Sequence, residues 1–295
     1  MVIPKVVIGI CAYNEEGNIR NLLLNLVAKQ SLPRDCRILV VCSGCTDKTP
    51  FIVKEFEKRD ERIEAIIEGS RRGKANALNS IFKIAKESAD VLVLVNADAL
   101  PERGSIEKLL SKLANSEAGV VFAQPFPFKE SRGICYGIVN VIWRLHHVIS
   151  LRQEPKLSAE LCAIRTSCLE EIPENVATDE PYIELAIRKQ GYDILYAPEA
   201  LVYIRYPTNT ADLLKQRKRI WLGHMQLQNA TDFKVSTSSF WNVLRATSAL
   251  DLDELLYVLP GALIETIAYC QARTDLSKDL IPYIWEPIES TKIHI

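Results

Sequence analysis

The feature that most constrains this chain is an alternation of short apolar runs and helix-length amphipathic segments over residues 6–95. The apolar runs cover residues 6–10, 37–41, 62–67 and 91–95, and the helical patterns between them cover residues 18–29, 48–59 and 74–87. Runs of this kind, separated by helices, are typical of parallel strands that are covered on both faces. The pattern predicts an α/β fold whose ligands bind at the carboxyl ends of the strands.

Composition narrows the class of protein. Of 295 residues, 48% are hydrophobic and 25% are charged, and the formal net charge is −1. These values are ordinary for a soluble globular protein and give no sign of a nucleic-acid partner. Eight cysteines are diluted along a long chain, and the N-terminus lacks the pattern of a secretion signal, so we expect a reducing, cytoplasmic location.

The second half of the chain is less regular. We expect a strand over residues 120–124 that is ended by the Pro-Phe-Pro at 125–127, and a helix over 131–151 that serves as a core helix or as an acceptor-binding wall. The apolar stretch 255–272 contains Pro260, Gly261 and Glu265, which favours a buried or membrane-surface helix over a spanning one. A polar loop is expected over 274–279.

The loop after the first strand carries Ala12, Tyr13, Asn14 and Glu15. It offers a ring on which a base can stack and polar groups that can bind base or ribose. An N-cap with an acidic first helical turn explains residues 14–18 equally well.

The loop after the second strand carries Ser43 between Cys42 and Cys45. The two cysteines form a Cys-x-x-Cys pair, but a zinc site needs about four ligands, and the sequence has no second pair to complete it. A metal or redox role for this pair is therefore disfavoured.

After the third run, two arginines and a lysine (Arg71, Arg72 and Lys74) surround Gly73 at the start of a helix. Free N–H groups and the helix dipole attract anions there, so the segment predicts phosphate binding, with a solvated basic turn as the alternative. The fourth run ends in Asn96-Ala97-Asp98. A carboxylate beside a buried strand needs a partner, and a divalent cation that carries a diphosphate is suitable.

Two further segments lie downstream. Asp179 precedes a helical run, where an N-cap is its simplest role. Gln216 and Arg219 are three residues apart in a basic helical stretch, so they share a helix face. That face either grips a phosphate group or is simply solvated.

Taken in order, these segments resemble the inverting family 2 glycosyltransferases of cell-envelope glycan biosynthesis, which have the glycosyltransferase A fold. The similarity spans about residues 4–222. It includes the Tyr-Asn-Glu-Glu loop, a turn similar to Asp-Asp-Gly-Ser-Thr-Asp, the Gly-Lys-x-x-Ala-Leu-Asn segment, the metal motif, the Glu-Asp region and a sequence similar to Gln-x-x-Arg-Trp. The resemblance implies a mostly parallel central sheet flanked by helices, with a catalytic domain over residues 1–230 and a mostly helical extension over 231–295.

The resemblance also implies roles for particular residues. Asp98 would hold Mg²⁺ or Mn²⁺, and Asp179 would be the base that deprotonates an acceptor hydroxyl, with inversion at the anomeric carbon. The nucleotide-sugar site would include the following residues: Ala12, Tyr13, Asn14, Glu15, Ser43, Arg72, Lys74, Asn96, Asp98, Gln216 and Arg219. The expected donor is UDP-linked, or alternatively GDP-linked, and the expected acceptor is a glycan or a lipid-linked group.

The chain departs from the family pattern at three places. Cys42 and Ser43 replace the paired acids of the second motif, Asn96 replaces the first acid of the metal motif, and Ile220 precedes Trp221 in the last signature. These departures leave open a non-catalytic relative that binds a nucleotide or a partner enzyme. A sugar-phosphate nucleotidylyltransferase shares the layout, but its glycine-rich N-terminal signature is absent.

The tail at 285–292 resembles the segment that follows the membrane helices of many relatives. Because the residues before it are too polar to span, we expect at most peripheral contact, at the inner face of the cell membrane, with a lipid acceptor as its reason.

Overall fold

The computed structural model describes residues 4–128, 133–152 and 155–292. The expectations for residues 1–3 at the N-terminus, for residues 131 and 132 of the predicted helix and for residues 293–295 of the extension lie outside the described residues.

An eight-stranded mixed sheet forms the centre of the described structure. Its strands are β1 (Val6–Ala12), β2 (Arg37–Ser43), β3 (Ile63–Glu68), β4 (Val91–Val95), β5 (Ala99–Pro101), β6 (Val120–Pro127), β7 (Leu161–Arg165) and β8 (Ile194–Ile204). The helices are α1 (Ile19–Lys29), α2 (Thr49–Glu57), α3 (Lys74–Ser88), α4 (Ser105–Ala114), α5 (Ile134–Leu151), α6 (Glu180–Lys189), α7 (Thr210–Thr231), α8 (Phe240–Thr247), α9 (Leu252–Leu255) and α10 (Val258–Ser277).

The strand order is β3-β2-β1-β4-β7-β6-β8-β5, and β1 to β4 are parallel to one another. The chain moves outward from β1 to β2 and β3 and then returns to place β4 on the other side of β1. Such a reversal of strand order opens a crevice at the carboxyl ends of the strands. The predicted α/β fold and its mostly parallel sheet are confirmed, and four of the seven pairings among the described strands are parallel.

The core lies on both faces of the sheet. Successive residues of β1 point in opposite directions, so Ile8 joins a cluster with Leu22 of α1, whereas Val7 joins a cluster with Ile81 of α3. Both faces are buried, which explains why these strands read as continuous apolar runs.

Strand β7 is antiparallel to both of its neighbours, β4 and β6. It therefore begins at the edge of the sheet where β4 ends, and the backbone N–H of Asn96 donates to the carbonyl of Glu160 at 3.2 Å. A local sequence pattern cannot reveal this juxtaposition, because the two residues are joined only through strand pairing.

The expected break at 125–127 is wrong, because β6 continues through Pro-Phe-Pro to Pro127. β7 pairs only with residues 120–122 of β6, and a register shift follows between Ala123 and Gln124. Among the described strands, residues 124–127 therefore pair on one side only, with β8. Proline has no N–H to donate, and it is tolerated on the side of a strand that has no partner.

The extension after α7 is helical, as expected, but α10 continues to Ser277 and so includes much of the predicted polar loop at 274–279. The boundary at residue 230 stays a prediction. Two described helical segments, Ile134–Leu151 and Leu252–Ser277, are long and apolar enough to cross a membrane by length and composition alone. The first is 50% buried and the second only 17% buried, so of the two alternatives for residues 255–272 the buried helix is not met and the membrane-surface helix stays a prediction. The expectation that the residues before the tail are too polar to span is wrong by length and composition.

Candidate active site

A cavity of about 220 Å³ opens at the carboxyl ends of β1, β2 and β4. Nine predicted residues line it: Ala12, Tyr13, Glu15, Ser43, Lys74, Asn96, Asp98, Gln216 and Arg219. They come from four strand ends or helix starts and from α7, so the fold brings together motifs that are far apart in sequence.

Two predicted residues are placed elsewhere. The Asn14 side chain accepts from the N–H of Thr46 at 2.8 Å and donates to the Thr46 hydroxyl at 3.0 Å, so it ties two loops together. Arg72 lies outside the cavity, where it forms an exposed ion pair with Glu174 at 3.7 Å. Its neighbour Arg71 lines the cavity instead. At this point the chain turns through Gly73 (φ 91°).

Three carboxylates lie near one another at the end of β4. Burial, followed by the charge of Asp98, raises the pKa of Glu15 to about 7 despite its ion pair with Lys292. Burial and then the charges of Asp98 and Glu180 raise the pKa of Glu160 to about 8. The charge of Asp98 contributes to both pKa shifts, so the three carboxylates lie close enough to repel one another, and a cation bound beside Asp98 would relieve that repulsion.

This arrangement fits a divalent cation at Asp98. Carboxylate oxygens are the ligands that Mg²⁺ and Mn²⁺ prefer. No group of three or more His, Cys, Asp and Glu side chains is placed to hold a metal ion in the described part of the chain.

Asp179 occupies the N-cap position of α6, yet its side chain makes no capping hydrogen bond. It is buried and forms an ion pair with the Lys74 ammonium at 3.1 Å. Burial lowers the pKa of Lys74, but the charges of Asp179 and Glu180 outweigh burial and hold the pKa above its ordinary value. The capping role considered for Asp179 is therefore wrong, since this carboxylate faces a cation.

A second cavity, of about 60 Å³, adjoins the first. Asp179 lines it together with Thr178 and Tyr283, and three residues line both cavities: Lys74, Arg219 and Trp285. The predicted base and the predicted cation ligand thus face adjoining spaces that share a wall.

Positive charge surrounds the larger cavity. The Arg71 guanidinium lies 3.7 Å from the centre of the Tyr13 ring, and burial lowers the pKa of Arg71, with Arg219 adding like-charge repulsion. Within the described residues, the buried Nε of Arg219 has no hydrogen-bond partner. Two neighbouring guanidinium groups, one of them with an unused donor, suit a diphosphate.

Helix α7 is held against this site by α10. The Trp221 indole donates to Glu265 at 2.7 Å, and Arg217 forms an ion pair with the same carboxylate at 2.5 Å. Trp221 therefore packs against α10 and lines neither cavity, while Trp285 lines both. On the opposite side of α7, a Cβ on Gly223 would lie 2.0 Å from the Thr178 hydroxyl, so only glycine permits this approach to the Asp179 loop.

The segment 283–292 closes the front of the larger cavity. Lys292 contacts the Glu15 carboxylate and donates to the Tyr13 carbonyl at 3.1 Å, and Arg71 donates to the carbonyl of Trp285. The Asp212 carboxylate accepts from the N–H of Ser290 at 3.2 Å. These contacts hold the segment across the strand ends.

Sequence reasoning assigned Arg72 rather than Arg71 to the nucleotide-sugar site, and it missed Glu160 and the placement of Lys292. The amide at position 96, where the family pattern has an acid, was the one local signal for a carboxylate such as Glu160 nearby. Nothing in the local pattern connects Lys292 with Glu15, because the two residues are 277 positions apart.

Comparison with known proteins identifies the family. A family model described as glycosyl transferase family 2 matches residues 7–165, more than half of the chain. The chain belongs to glycosyl transferase family 2. The predicted resemblance is confirmed.

Curated relatives of this family 2 member include a probable glycosyltransferase, YdaM, of Bacillus subtilis (strain 168), which is 26% identical over 74% of the chain and 54% of the relative. An N-acetylglucosaminyltransferase of Rhizobium meliloti (strain 1021) is 23% identical over 74% of the chain and 55% of the relative. The chain thus spans about half the length of these relatives.

Among solved structures, the mannosyltransferase PcManGT from Pyrobaculum calidifontis, in complex with GDP-Man and Mn²⁺, is similar with a TM-score of 0.64. It is 23% identical, and the similarity covers 97% of this chain and 82% of that one. TarS 1-349 of S. aureus in complex with UDP-GlcNAc is similar with a TM-score of 0.53, at 14% identity over 93% of this chain and 92% of that one. The predicted glycosyltransferase A fold is confirmed.

Proposed function

We propose that this family 2 member is a metal-dependent, inverting glycosyltransferase that moves a sugar from a nucleoside-diphosphate donor to a hydroxyl of a glycan or lipid-linked acceptor. The observation that carries the proposal is the placement of Asp98 and Asp179 on adjoining cavities with a shared cationic wall. The geometry offers an anion site and a buried carboxylate within one crevice.

Each side chain has a chemical task in this proposal. Asp179 accepts the proton of the acceptor hydroxyl as its oxygen bonds to the anomeric carbon, and the bond from that carbon to the diphosphate oxygen breaks with its electron pair. Lys74 holds the Asp179 carboxylate in place through the 3.1 Å ion pair. Arg71 and Arg219 stabilise the charge that develops on the departing diphosphate. A cation held by Asp98 would add charge stabilisation at the same diphosphate.

Donor turnover tests the proposal. Purified protein with Mn²⁺ or Mg²⁺ should release a nucleoside diphosphate from a suitable donor, and Asp98→Ala should abolish the release. Asp179→Asn should lower turnover by about 10²–10⁴-fold, the usual contribution of a general base, while nucleotide binding persists.

Asp193→Asn is the matched control, because this exposed acid lines neither cavity. It should turn over like the unmodified protein. If no donor in a panel of UDP- and GDP-linked sugars, offered with lipid and sugar acceptors, gave release above Asp98→Ala, the activity would be ruled out. Calorimetry showing metal-independent nucleotide binding would then favour the non-catalytic binding module.

The nucleobase of the donor would be bound by the residues at the ends of β1 and β2. Tyr13, Ser43 and Ala12 line the larger cavity, and the Ser43 hydroxyl donates to Glu68 at 2.5 Å. PcManGT is in complex with GDP-Man and TarS with UDP-GlcNAc, so both bases are candidates, with a UDP-linked donor as our proposal.

A thermal-shift comparison of UDP and GDP with Mn²⁺ separates the bases. A ligand present at 100 times its Kd stabilises the folded state by about 2.7 kcal/mol. For a domain of this size class, 1 kcal/mol corresponds to about 2–4 °C in Tm, so the correct base should raise Tm by about 5–11 °C. A larger shift with GDP would overturn the UDP assignment.

We also propose peripheral contact with the inner face of the membrane through an apolar face of α8–α10. Its exposed residues, with their accessible fractions, are Phe240 70%, Trp241 63%, Leu252 84%, Leu256 73%, Leu259 80% and Leu263 62%. Exposed large apolar and aromatic side chains on helices are typical of interfacial helices. This face would bring a lipid-linked acceptor close to the crevice.

Vesicle flotation tests this contact. The protein should float with phosphatidylcholine–phosphatidylglycerol vesicles, and Trp241→Glu with Leu256→Glu should abolish flotation. Leu24→Glu is the matched control, since Leu24 is 51% exposed on α1, outside this face. Attachment that resists carbonate extraction would mean a spanning segment and would overturn peripheral contact.

A further inference from the structure

The side-chain amide of Asn96 connects two charged groups that lie on opposite sides of it. Its nitrogen donates to the Glu160 carboxylate at 2.8 Å, and its oxygen accepts from the Lys74 ammonium at 3.2 Å. Lys74 in turn contacts Asp179 at 3.1 Å. Four side chains therefore form a continuous polar chain from the start of β7 to the start of α6.

An amide suits this position because it carries donors at one end and an acceptor at the other. Between a carboxylate and an ammonium, it satisfies both. An ionised aspartate at position 96 would accept from Lys74, but it would place a second carboxylate against Glu160 in a partly buried site. Like charges that close repel strongly, and neither oxygen can donate to the other.

We propose that Glu160 and Asn96 are positioning residues that act through Lys74 on Asp179. Glu160 fixes the orientation of the Asn96 amide, the amide oxygen fixes the Lys74 ammonium, and the ammonium fixes the carboxylate of the base. The functional part of this inference rests on the proposed role of Asp179.

Glu160, Asn96, Lys74 and Asp179 form a relay of side-chain contacts. This relay explains a departure from the family pattern. Position 96 lacks an acid, and the missing carboxylate is found across the strand pairing, at Glu160. The two positions should therefore behave as a pair. In the exchanged pair, Asn96→Asp with Glu160→Gln, the glutamine amide donates to the new carboxylate, which still accepts from Lys74, and the total charge is unchanged.

A double-mutant cycle tests this pairing with four proteins: the unmodified chain, Asn96→Asp, Glu160→Gln and the exchanged pair. Asn96→Asp should lower kcat by about tenfold or more, the size of effect seen when one member of a coupled hydrogen-bond network is lost. The exchanged pair should recover most of that loss. The KM for the donor should change less than kcat, because the relay ends at the base.

Two controls separate the relay from general effects. Asn96→Asp with Glu174→Gln removes a carboxylate that contacts Arg72 and Asn76 instead, so it should give no recovery. Mn²⁺ affinity in the presence of nucleotide should be nearly the same in Glu160→Gln and the unmodified protein. A loss of affinity of about tenfold or more would make Glu160 a cation ligand and would overturn the relay.

Thermal unfolding of the same four proteins gives a readout that does not require turnover. Asn96→Asp should lower Tm, and the exchanged pair should restore it. Additive effects on Tm would overturn the pairing even if the enzyme is active. If the unmodified protein releases no nucleoside diphosphate, the proposed function fails, while recovery of Tm still decides whether Glu160 and Asn96 are coupled.

Discussion

Replacing Gly223 with alanine should push α7 away from the loop that carries Asp179. The added Cβ would lie 2.0 Å from the Thr178 hydroxyl oxygen and 2.8 Å from its Cβ, so the two segments must separate. Alanine in a helix interior is favoured over glycine by about 1 kcal/mol. Overpacking of a tight contact costs about 1–3 kcal/mol. We therefore expect a net loss of stability of up to about 2 kcal/mol, or about 4–8 °C in Tm.

Gly261→Ala is the matched control, because its Cβ would lie 3.5 Å from Ile138, an ordinary contact. It should raise the free energy of unfolding by about 0.5–1 kcal/mol through helix propensity alone. Urea unfolding of both variants gives the comparison directly. The free energy of unfolding should fall in Gly223→Ala and rise in Gly261→Ala, although both replace a helical glycine with alanine.

The effect of Gly223→Ala on turnover follows from geometry. Arg219 lies one turn before Gly223 on α7, so a displaced helix moves this guanidinium relative to Asp179. A displacement of about 1 Å near reacting groups can cost about 10²-fold in rate, and we expect kcat/KM to fall by about tenfold to 10²-fold. A Gly223→Ala protein as stable and active as Gly261→Ala would refute the close approach of α7 to Thr178.

Three further predictions follow. Burial, with the charge of Lys156 adding to it, lowers the pKa of His146 to about 3, so stability that is fully present above pH 6.5 should be lost as pH falls toward 3. Urea titrations at several pH values should show that the free energy of unfolding depends less steeply on pH in His146→Gln, by up to about 1.4 kcal/mol per pH unit. An unchanged pH dependence would contradict this. Lys292→Ala should cost about 3 kcal/mol, since it leaves the Glu15 carboxylate buried without its cation, and hydrogen exchange in residues 283–292 should speed up. Trp241→Glu alone should weaken vesicle binding without changing the turnover of a water-soluble acceptor; a parallel loss of both would indicate misfolding.

The sequence predicts β1 to β4, α1 to α3 and the position of the crevice, because each depends on local periodicity and on the geometry of parallel strands. It does not predict the direction of β7, which is set by pairing with strands distant along the chain. Glu160 therefore could not be placed beside Asn96. The choice between Arg71 and Arg72 depends on the backbone turn at Gly73, which residue type alone does not determine. The continuation of β6 through its prolines depends on which side of the strand lacks a partner.

The contacts of Lys292 with the Tyr13 carbonyl and the Glu15 carboxylate join residues 279 and 277 positions apart, the greatest separations among the side-chain contacts described above. Closing a loop of that length costs entropy before the contact returns any energy, so such contacts form late as a protein folds. The sheet can consequently reach its native pairing while the donor cavity still lacks its front wall. Refolding followed by a nucleotide signal should lag behind refolding followed by backbone circular dichroism, and mild denaturant should abolish ligand binding before the sheet unfolds.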